Sequence, residues 1–145
     1  MVLLKNIFLS EDDEDDQFLF THALKEIDST IKCQIAKNGK ETIDKLKKIK
    51  KLPDLIFLDL NMPYMNGFEC LSHLKNDARL KHLPVVIFTT SKNPADVEAT
   101  HQLGANVFLS KPAAFSELKD KLQRILSLDF KSTEMKSGFF PQYSV

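Results

Sequence analysis

Short apolar runs alternate five times with segments of helical periodicity along this chain of 145 residues. Each run has the length of a strand, and each is followed by apolar residues spaced three or four positions apart. Strands that alternate with helices form a parallel sheet, because every helix returns the chain to the same edge. The pattern therefore predicts an α/β fold, a doubly wound five-stranded parallel sheet with helices on both faces. The predicted strands are Asn6–Ser10, Ile31–Ala36, Leu55–Leu58, Val85–Thr89 and Val107–Ser110.

Composition narrows the class of protein. Lys plus Arg equals Asp plus Glu at 20 each, which argues against a nucleic-acid surface built on bulk charge. No apolar run approaches the ~20 residues of a membrane span, and the N-terminus lacks the basic leader of a signal peptide. Cys33 and Cys70 form no close-spaced pair, so neither a disulfide framework nor a zinc site is indicated. We expect a cytoplasmic domain over residues 1–130.

Residues 131–145 are predicted to be a C-terminal tail, with no separate output domain. Phe139, Phe140 and Tyr143 lie within five residues of one another there, and Pro141 prevents a helix through them. Burying such a ring contributes roughly 1.5–3 kcal/mol. We therefore predict that the extended segment 136–145 packs against its own domain or a second subunit.

Six consecutive acids, Glu11 to Asp16, follow the first strand. Such a run is usually a solvated, self-repelling segment, but this one lies between a strand and an amphipathic helical pattern. Asp15 and Asp16 then lie near a helix N-terminus, where negative charge is favoured. Glu11 and Asp12 instead lie at the carboxyl end of the strand. The run is therefore predicted to divide between two roles.

Other strands also carry polar side chains at their carboxyl ends. Asp59 follows the third strand, Thr89 ends the fourth, and Lys111 follows the fifth. Alone, each has an ordinary structural interpretation, and Asp59 would simply cap a loop. In an open parallel sheet, however, ligands bind outside the carboxyl ends of the strands, where strand order reverses. Three carboxylates, one hydroxyl and one ammonium are therefore predicted to converge on one edge.

The residue types at this edge restrict the chemistry. Clustered carboxylates stay ionised only beside a cation, since like charges raise one another's pKa. Hard oxygen ligands suit Mg²⁺, with Mn²⁺ as an alternative, better than zinc. Lys111 and Thr89 are donors that suit a phosphoryl group, and a carboxylate that accepts one becomes an aspartyl-phosphate. Asp59 is predicted as the acceptor because it is central to both sets of groups.

These motifs resemble those of response-regulator receiver domains of two-component signalling, over residues 4 to about 128. The segments TTS, at Thr89–Ser91, and LGAN, before Phe108, resemble those of single-domain, chemotaxis-regulator-like proteins that partner phytochrome-type histidine kinases. The resemblance implies a flavodoxin-like strand order 2-1-3-4-5. The motifs that carry it are Glu11-Asp12, the block DLNMPYMNG from Asp59, Thr89 after an apolar strand, and Lys111-Pro112.

The resemblance also implies the reaction and its partners. Asp59 receives a phosphoryl group from a sensor histidine kinase or a phosphotransfer protein, and the chain is no enzyme beyond self-catalysed phosphoryl transfer and hydrolysis. A cis peptide is implied between Lys111 and Pro112. Ser10 departs from the apolar residue usual in the family, and little effect is expected. The implied metal ligands are Glu11, Asp12, Asp59 and the backbone carbonyl of Asn61.

Thr89 and Phe108 are the residues that the resemblance implies as a switch. By its pattern alone, Phe108 is an apolar core residue of the last strand, and its lack of a phenol leaves any rotation to packing. The signal is expected to leave by contact with an unknown downstream protein. The face over residues 96–128 is the predicted responsive surface and a candidate homodimer interface.

Two other interpretations stay open. A haloacid-dehalogenase-like phosphatase also uses a strand-end Asp, Mg²⁺ and a Lys, but its nucleophile typically heads the first strand, with a second Asp two residues later. Here that second position is Asn61, which cannot shuttle a proton. The other interpretation is a receiver-like module that binds partners without phosphorylation, against which the intact set of acids, Thr89 and Lys111 argues.

Overall fold

Five strands and five helices alternate along residues 4–130, the part of the chain that the computed structural model describes. All strand pairs are parallel, in the order β2-β1-β3-β4-β5, so the predicted doubly wound fold and its flavodoxin-like order are confirmed. The strands are β1 (Asn6–Ser10), β2 (Lys32–Ala36), β3 (Leu55–Leu58), β4 (Val85–Thr89) and β5 (Val107–Ser110). The helices are α1 (Glu14–Ile27), α2 (Gly39–Lys48), α3 (Gly67–Asn76), α4 (Pro94–Gln102) and α5 (Phe115–Leu126).

The central strands are apolar throughout because their two faces belong to two cores. In β3, Leu55 and Phe57 belong to a core completed by α1 and α5. Ile56 and Leu58 belong to the opposite core, completed by α2 and α3, against which residues of α4 also pack. A strand covered on both faces has no polar side, which explains the continuous apolar run in the sequence.

Local signals determine where several helices begin and end. Asn38 accepts a hydrogen bond from a backbone N–H of the first turn of α2 at 2.8 Å, and Asn93 caps α4 in the same way at 2.9 Å. Gly104 follows α4 with a φ of 102°, a left-handed conformation that glycine adopts readily at the end of a helix. The acid run divides as expected, since Asp13 caps α1 and the first turn of that helix is acidic.

Ser10 has a specific partner that explains how a polar residue fits the end of β1. It is fully buried, and its hydroxyl lies 2.6 Å from Oγ1 of Thr42 in α2. A buried hydroxyl without a partner would cost about 1–3 kcal/mol. Thr42 removes that cost, so this departure from the family pattern is accommodated by a second polar residue across the core.

The structure corrects two expectations, and the predictions about the tail concern residues that it does not describe. The peptide between Lys111 and Pro112 is trans, as is every other peptide bond of residues 4–130. Trans is the more stable X–Pro isomer by about 0.5–1 kcal/mol. β2 starts at Lys32 rather than Ile31, whose N–H bonds to the Asp28 carbonyl in a turn. No helix of residues 4–130 is long and apolar enough to cross a membrane. The tail predictions concern residues 131–145, outside the described part.

Candidate functional site

Three of the predicted site residues directly continue the hydrogen-bond ladder of the sheet. The backbone N–H groups of Glu11, Asp59 and Lys111 donate to carbonyls of the neighbouring strands at 2.9, 3.0 and 2.7 Å. Each residue is the first after its strand, and the strands are parallel. All three side chains therefore start from the same edge of the sheet, as predicted.

The ammonium of Lys111 lies among three carboxylates. Its Nζ is 2.6 Å from Glu11 Oε1, 2.8 Å from Asp16 Oδ2 and 3.3 Å from Asp59 Oδ2. Asp16 and Asp59 accept hydrogen bonds from it, whereas the contact with Glu11 is an ion pair without hydrogen-bond alignment. Burial lowers the pKa of Lys111, but its contacts with the carboxylates outweigh burial and raise the pKa overall. Lys111 is therefore held as a cation.

Glu11 is a buried acid of the site whose pKa lies well above its ordinary value. It is fully buried, and its Oε1 is the single buried side-chain polar atom among residues 4–130 without a hydrogen-bond partner. Burial raises the pKa of Glu11 to about 8; the contact with Lys111 opposes this rise and the charge of Asp59 adds to it. A buried carboxyl with an unsatisfied oxygen would be stabilised by a further cation.

The acidic cluster has the composition of a site for a hard divalent cation. Glu11, Asp12 and Asp59 each offer one carboxylate oxygen, and these oxygens lie within 4.8 Å of one another. Asp12 is exposed, whereas the other two are buried. With the unsatisfied oxygen of Glu11, this donor set fits Mg²⁺ or Mn²⁺. The N–H of Asn61 donates to Asp59 Oδ1 at 3.3 Å, so its main chain lies beside the cluster, and its carbonyl stays a predicted ligand.

We expect the Glu11 carboxyl to make the metal-free protein less stable as the pH rises. Its pKa in the folded protein, about 8, lies above its ordinary value of 4.5, so the unfolded chain releases this proton at lower pH. The contribution of Glu11 is complete below about pH 4.5 and is lost as the pH rises through about 8. Urea denaturation with a chelator should show a decline over this range that is smaller in Glu11→Gln. Equal declines would contradict the expectation.

Thr89 and Phe108 are both buried in neighbouring strands. Thr89 ends β4, and its carbonyl accepts the 2.7 Å hydrogen bond from the Lys111 N–H, which brings it to the same edge. Phe108 pairs with Ile87 of β4, and the residue is 1% exposed within the α2–α3 core. The ring thus occupies an inward position, and its role in switching stays a prediction.

Gly67 brings the start of α3 against the backbone of the phosphoacceptor candidate. A Cβ at this position would lie 2.3 Å from the carbonyl oxygen of Asp59 and 2.6 Å from Cα of Leu60. Both atoms belong to the backbone and cannot move aside. The glycine is therefore required by a close approach, and the N-terminal capping box of Asn66 and Glu69, which the sequence reasoning missed, completes the turn.

Comparison with known proteins agrees with this geometry. The family model of the response regulator receiver domain matches residues 7–123. Response regulator Rcp1 of Synechocystis sp. is 34% identical over 128 residues, which cover 85% of this chain and 87% of Rcp1.

Two solved structures are similar in fold and sequence. The phosphorylated cyanobacterial phytochrome response regulator RcpA has a TM-score of 0.78 at 34% identity, covering 85% of this chain and 91% of RcpA. The Mn²⁺-bound form of response regulator Rcp1 has a TM-score of 0.74 at 33% identity, covering 88% of this chain and 96% of that one. The resemblance to single-domain, phytochrome-associated regulators is thereby confirmed. This chain belongs to the family of response regulator receiver domains, the receivers of two-component signalling.

Proposed function

We propose that this protein is a phosphoacceptor response regulator, phosphorylated on Asp59 with Mg²⁺ and signalling by protein contact. The observation that carries the proposal is the position of the Asp59 carboxylate between two sets of groups. Lys111 Nζ lies 3.3 Å from one of its oxygens, and a carboxylate oxygen each of Glu11 and Asp12 lies within 4.8 Å of an Asp59 oxygen. With a cation held by the cluster, a phosphoryl group on Asp59 would meet positive charge from that cation and from Lys111.

In the proposed reaction, a carboxylate oxygen of Asp59 attacks the phosphorus of a phosphohistidine on a sensor histidine kinase or a phosphotransfer protein. The phosphorus–nitrogen bond breaks as the phosphorus–oxygen bond forms, which leaves an aspartyl-phosphate and a histidine. The Lys111 ammonium balances the charge that the phosphoryl group adds, and the Thr89 hydroxyl donates to one of its oxygens. The buried setting of Asp59, which is 4% exposed, limits competition from water.

Glu11, Asp12, Asp59 and the Asn61 carbonyl would hold the metal, with water completing its coordination. When bound, the cation supplies positive charge that reduces the repulsion between the Asp59 carboxylate and an incoming phosphoryl group. The Mn²⁺-bound form of the related Rcp1 supports a divalent metal in this role. Without it, the negative charges of the cluster would oppose the approach of the donor.

Incubation with Mg²⁺ and acetyl phosphate, followed by intact-mass measurement, tests this function. We expect a single phosphoryl adduct, because Lys111 and the cation held by the cluster would favour added negative charge on Asp59. The adduct should be absent from a sample that contains a chelator. If neither acetyl phosphate nor a histidine kinase yields an adduct with Mg²⁺ present, binding without phosphorylation becomes the better account of this domain.

The output surface is proposed to be the face of α4, β5 and α5, within residues 94–126. Among the residues of α4, only Thr100 is buried, so few contacts resist a shift of this helix. Binding of beryllofluoride, a phosphoryl mimic, should change amide hydrogen exchange most in this face. The partner there is a downstream protein or a second copy of the chain. Changes confined to α2 would contradict this assignment.

A further inference from the structure

Lys111 has a partner outside the acidic cluster. Asp16 Oδ2 accepts a hydrogen bond from its Nζ at 2.8 Å, shorter than the 3.3 Å hydrogen bond to Asp59. The two residues are 95 positions apart in the chain. Asp16 lies in α1 and Lys111 follows β5, and both elements pack in the same core. The contact therefore joins parts of the fold that already lie together.

The placement of Asp16 follows from the amphipathic face of α1. Asp16 is four residues before Phe20, which is fully buried, so the two side chains lie on the same face of the helix. The neighbouring Asp15 is exposed. Because the side chain of Lys111 is only 11% exposed and that of Asp16 only 33%, water screens this pair less than a surface ion pair.

We propose that Asp16 is a positioning residue that holds the Lys111 ammonium in the unphosphorylated protein and competes with the phosphoryl group for it. The inference rests on the proposed phosphorylation of Asp59. A phosphoryl group brings negative charge and three strong acceptor oxygens, and the ammonium offers only three N–H donors. While Lys111 donates a hydrogen bond to Asp16, fewer of its N–H groups are free to bind the phosphoryl group. The negative charge of Asp16 also repels that group. Replacing Asp16 with a neutral residue should therefore favour the phosphorylated form.

The test compares the affinities of two variants for beryllofluoride at saturating Mg²⁺, measured by calorimetry. Asp16→Asn should bind it about fivefold more tightly than the wild type, the size of effect expected for a partly screened charged hydrogen bond. Asp15→Asn removes the same charge from the same helical turn and should stay within about twofold. Asp16→Ser, a shorter neutral replacement, should behave as Asp16→Asn does.

A second measurement tests the contact without any phosphoryl mimic. In metal-free protein, the exchange of the Lys111 ammonium protons with water, followed by ¹⁵N NMR, should accelerate in Asp16→Asn and stay unchanged in Asp15→Asn. A helix-end charge without a specific contact would affect both variants alike. Unchanged exchange in Asp16→Asn would overturn the inference.

The outcomes separate this inference from the function on which it rests. If the wild type does not bind beryllofluoride, the proposed phosphorylation fails and the competition fails with it. If the wild type binds but Asp16→Asn binds no more tightly than Asp15→Asn, only the role of Asp16 is wrong. Weaker binding by Asp16→Asn would also overturn it, because Asp16 would then assist rather than compete.

Discussion

Asp59→Asn is expected to abolish the phosphoryl adduct completely when the protein is incubated with Mg²⁺ and acetyl phosphate. The substitution preserves the size of the side chain but replaces a charged nucleophilic oxygen with a neutral amide. The other carboxylates near Lys111 lie closer to its ammonium: Glu11 Oε1 and Asp16 Oδ2 are 2.6 and 2.8 Å from Nζ, against 3.3 Å for Asp59 Oδ2. Intact-mass measurement gives the result directly, since a covalent adduct is either present or absent.

A matched control comes from the opposite end of the same strand. Asp54 precedes β3, and its Oδ2 accepts hydrogen bonds from the backbone N–H groups of Lys5 and Asn6 at 3.1 and 3.0 Å. Asp54→Asn makes the same chemical change away from the site and should leave the adduct intact. A persistent adduct in Asp59→Asn would mean that another side chain accepts the phosphoryl group, and peptide mapping would locate it.

Asp12→Ala should weaken Mg²⁺ binding by roughly a hundredfold or more, since losing even an outer partner of a metal ligand typically costs 10–100-fold. A small cation that dehydrates reluctantly needs several charged oxygens in reach, and this variant leaves two of the three carboxylates in the cluster. Asp12 is exposed, so its removal should change the stability of the fold little. Calorimetric titration of the metal-free protein measures the effect.

Glu14→Ala is the control for charge alone. Glu14 is also exposed and lies two positions away, but it is not part of the cluster. Its removal should alter Mg²⁺ affinity by no more than about twofold, as expected for a screened surface charge. Equal losses in the two variants would show that the acid run attracts the cation only through its overall charge.

The fold could be predicted from the sequence because its signals are local. The run Leu55–Leu58 is apolar at every position, which is typical of a strand covered on both faces, and the structure places its alternate residues in two cores. Asn38 and Asn93 begin helices by capping, an interaction within one turn for which Asn is a preferred residue. The convergence at the sheet edge followed from parallel strands, which all end on the same side.

What escaped prediction depends on pairs of residues far apart in the chain. Asp16 was interpreted only as a helix-end charge, although its spacing of four from Phe20 indicated an inward position. Its partner Lys111 could not be inferred without knowing that α1 and the residue after β5 meet. The hydrogen bond between Ser10 and Thr42 could not be predicted for the same reason, because the two hydroxyls meet only when α2 packs on β1.

The hydrogen-bond ladder that ends at Glu11, Asp59 and Lys111 separates the sheet from the connections that follow its strands. The main chain of each residue is held by the last inter-strand hydrogen bond of the sheet. The loops that follow can therefore change in length or composition without displacing these side chains. The outer surfaces of the helices can then change while the sheet edge keeps its backbone geometry. The fold tolerates such change: this chain matches the Rcp1 structure with a TM-score of 0.74, although about two thirds of the compared residues differ.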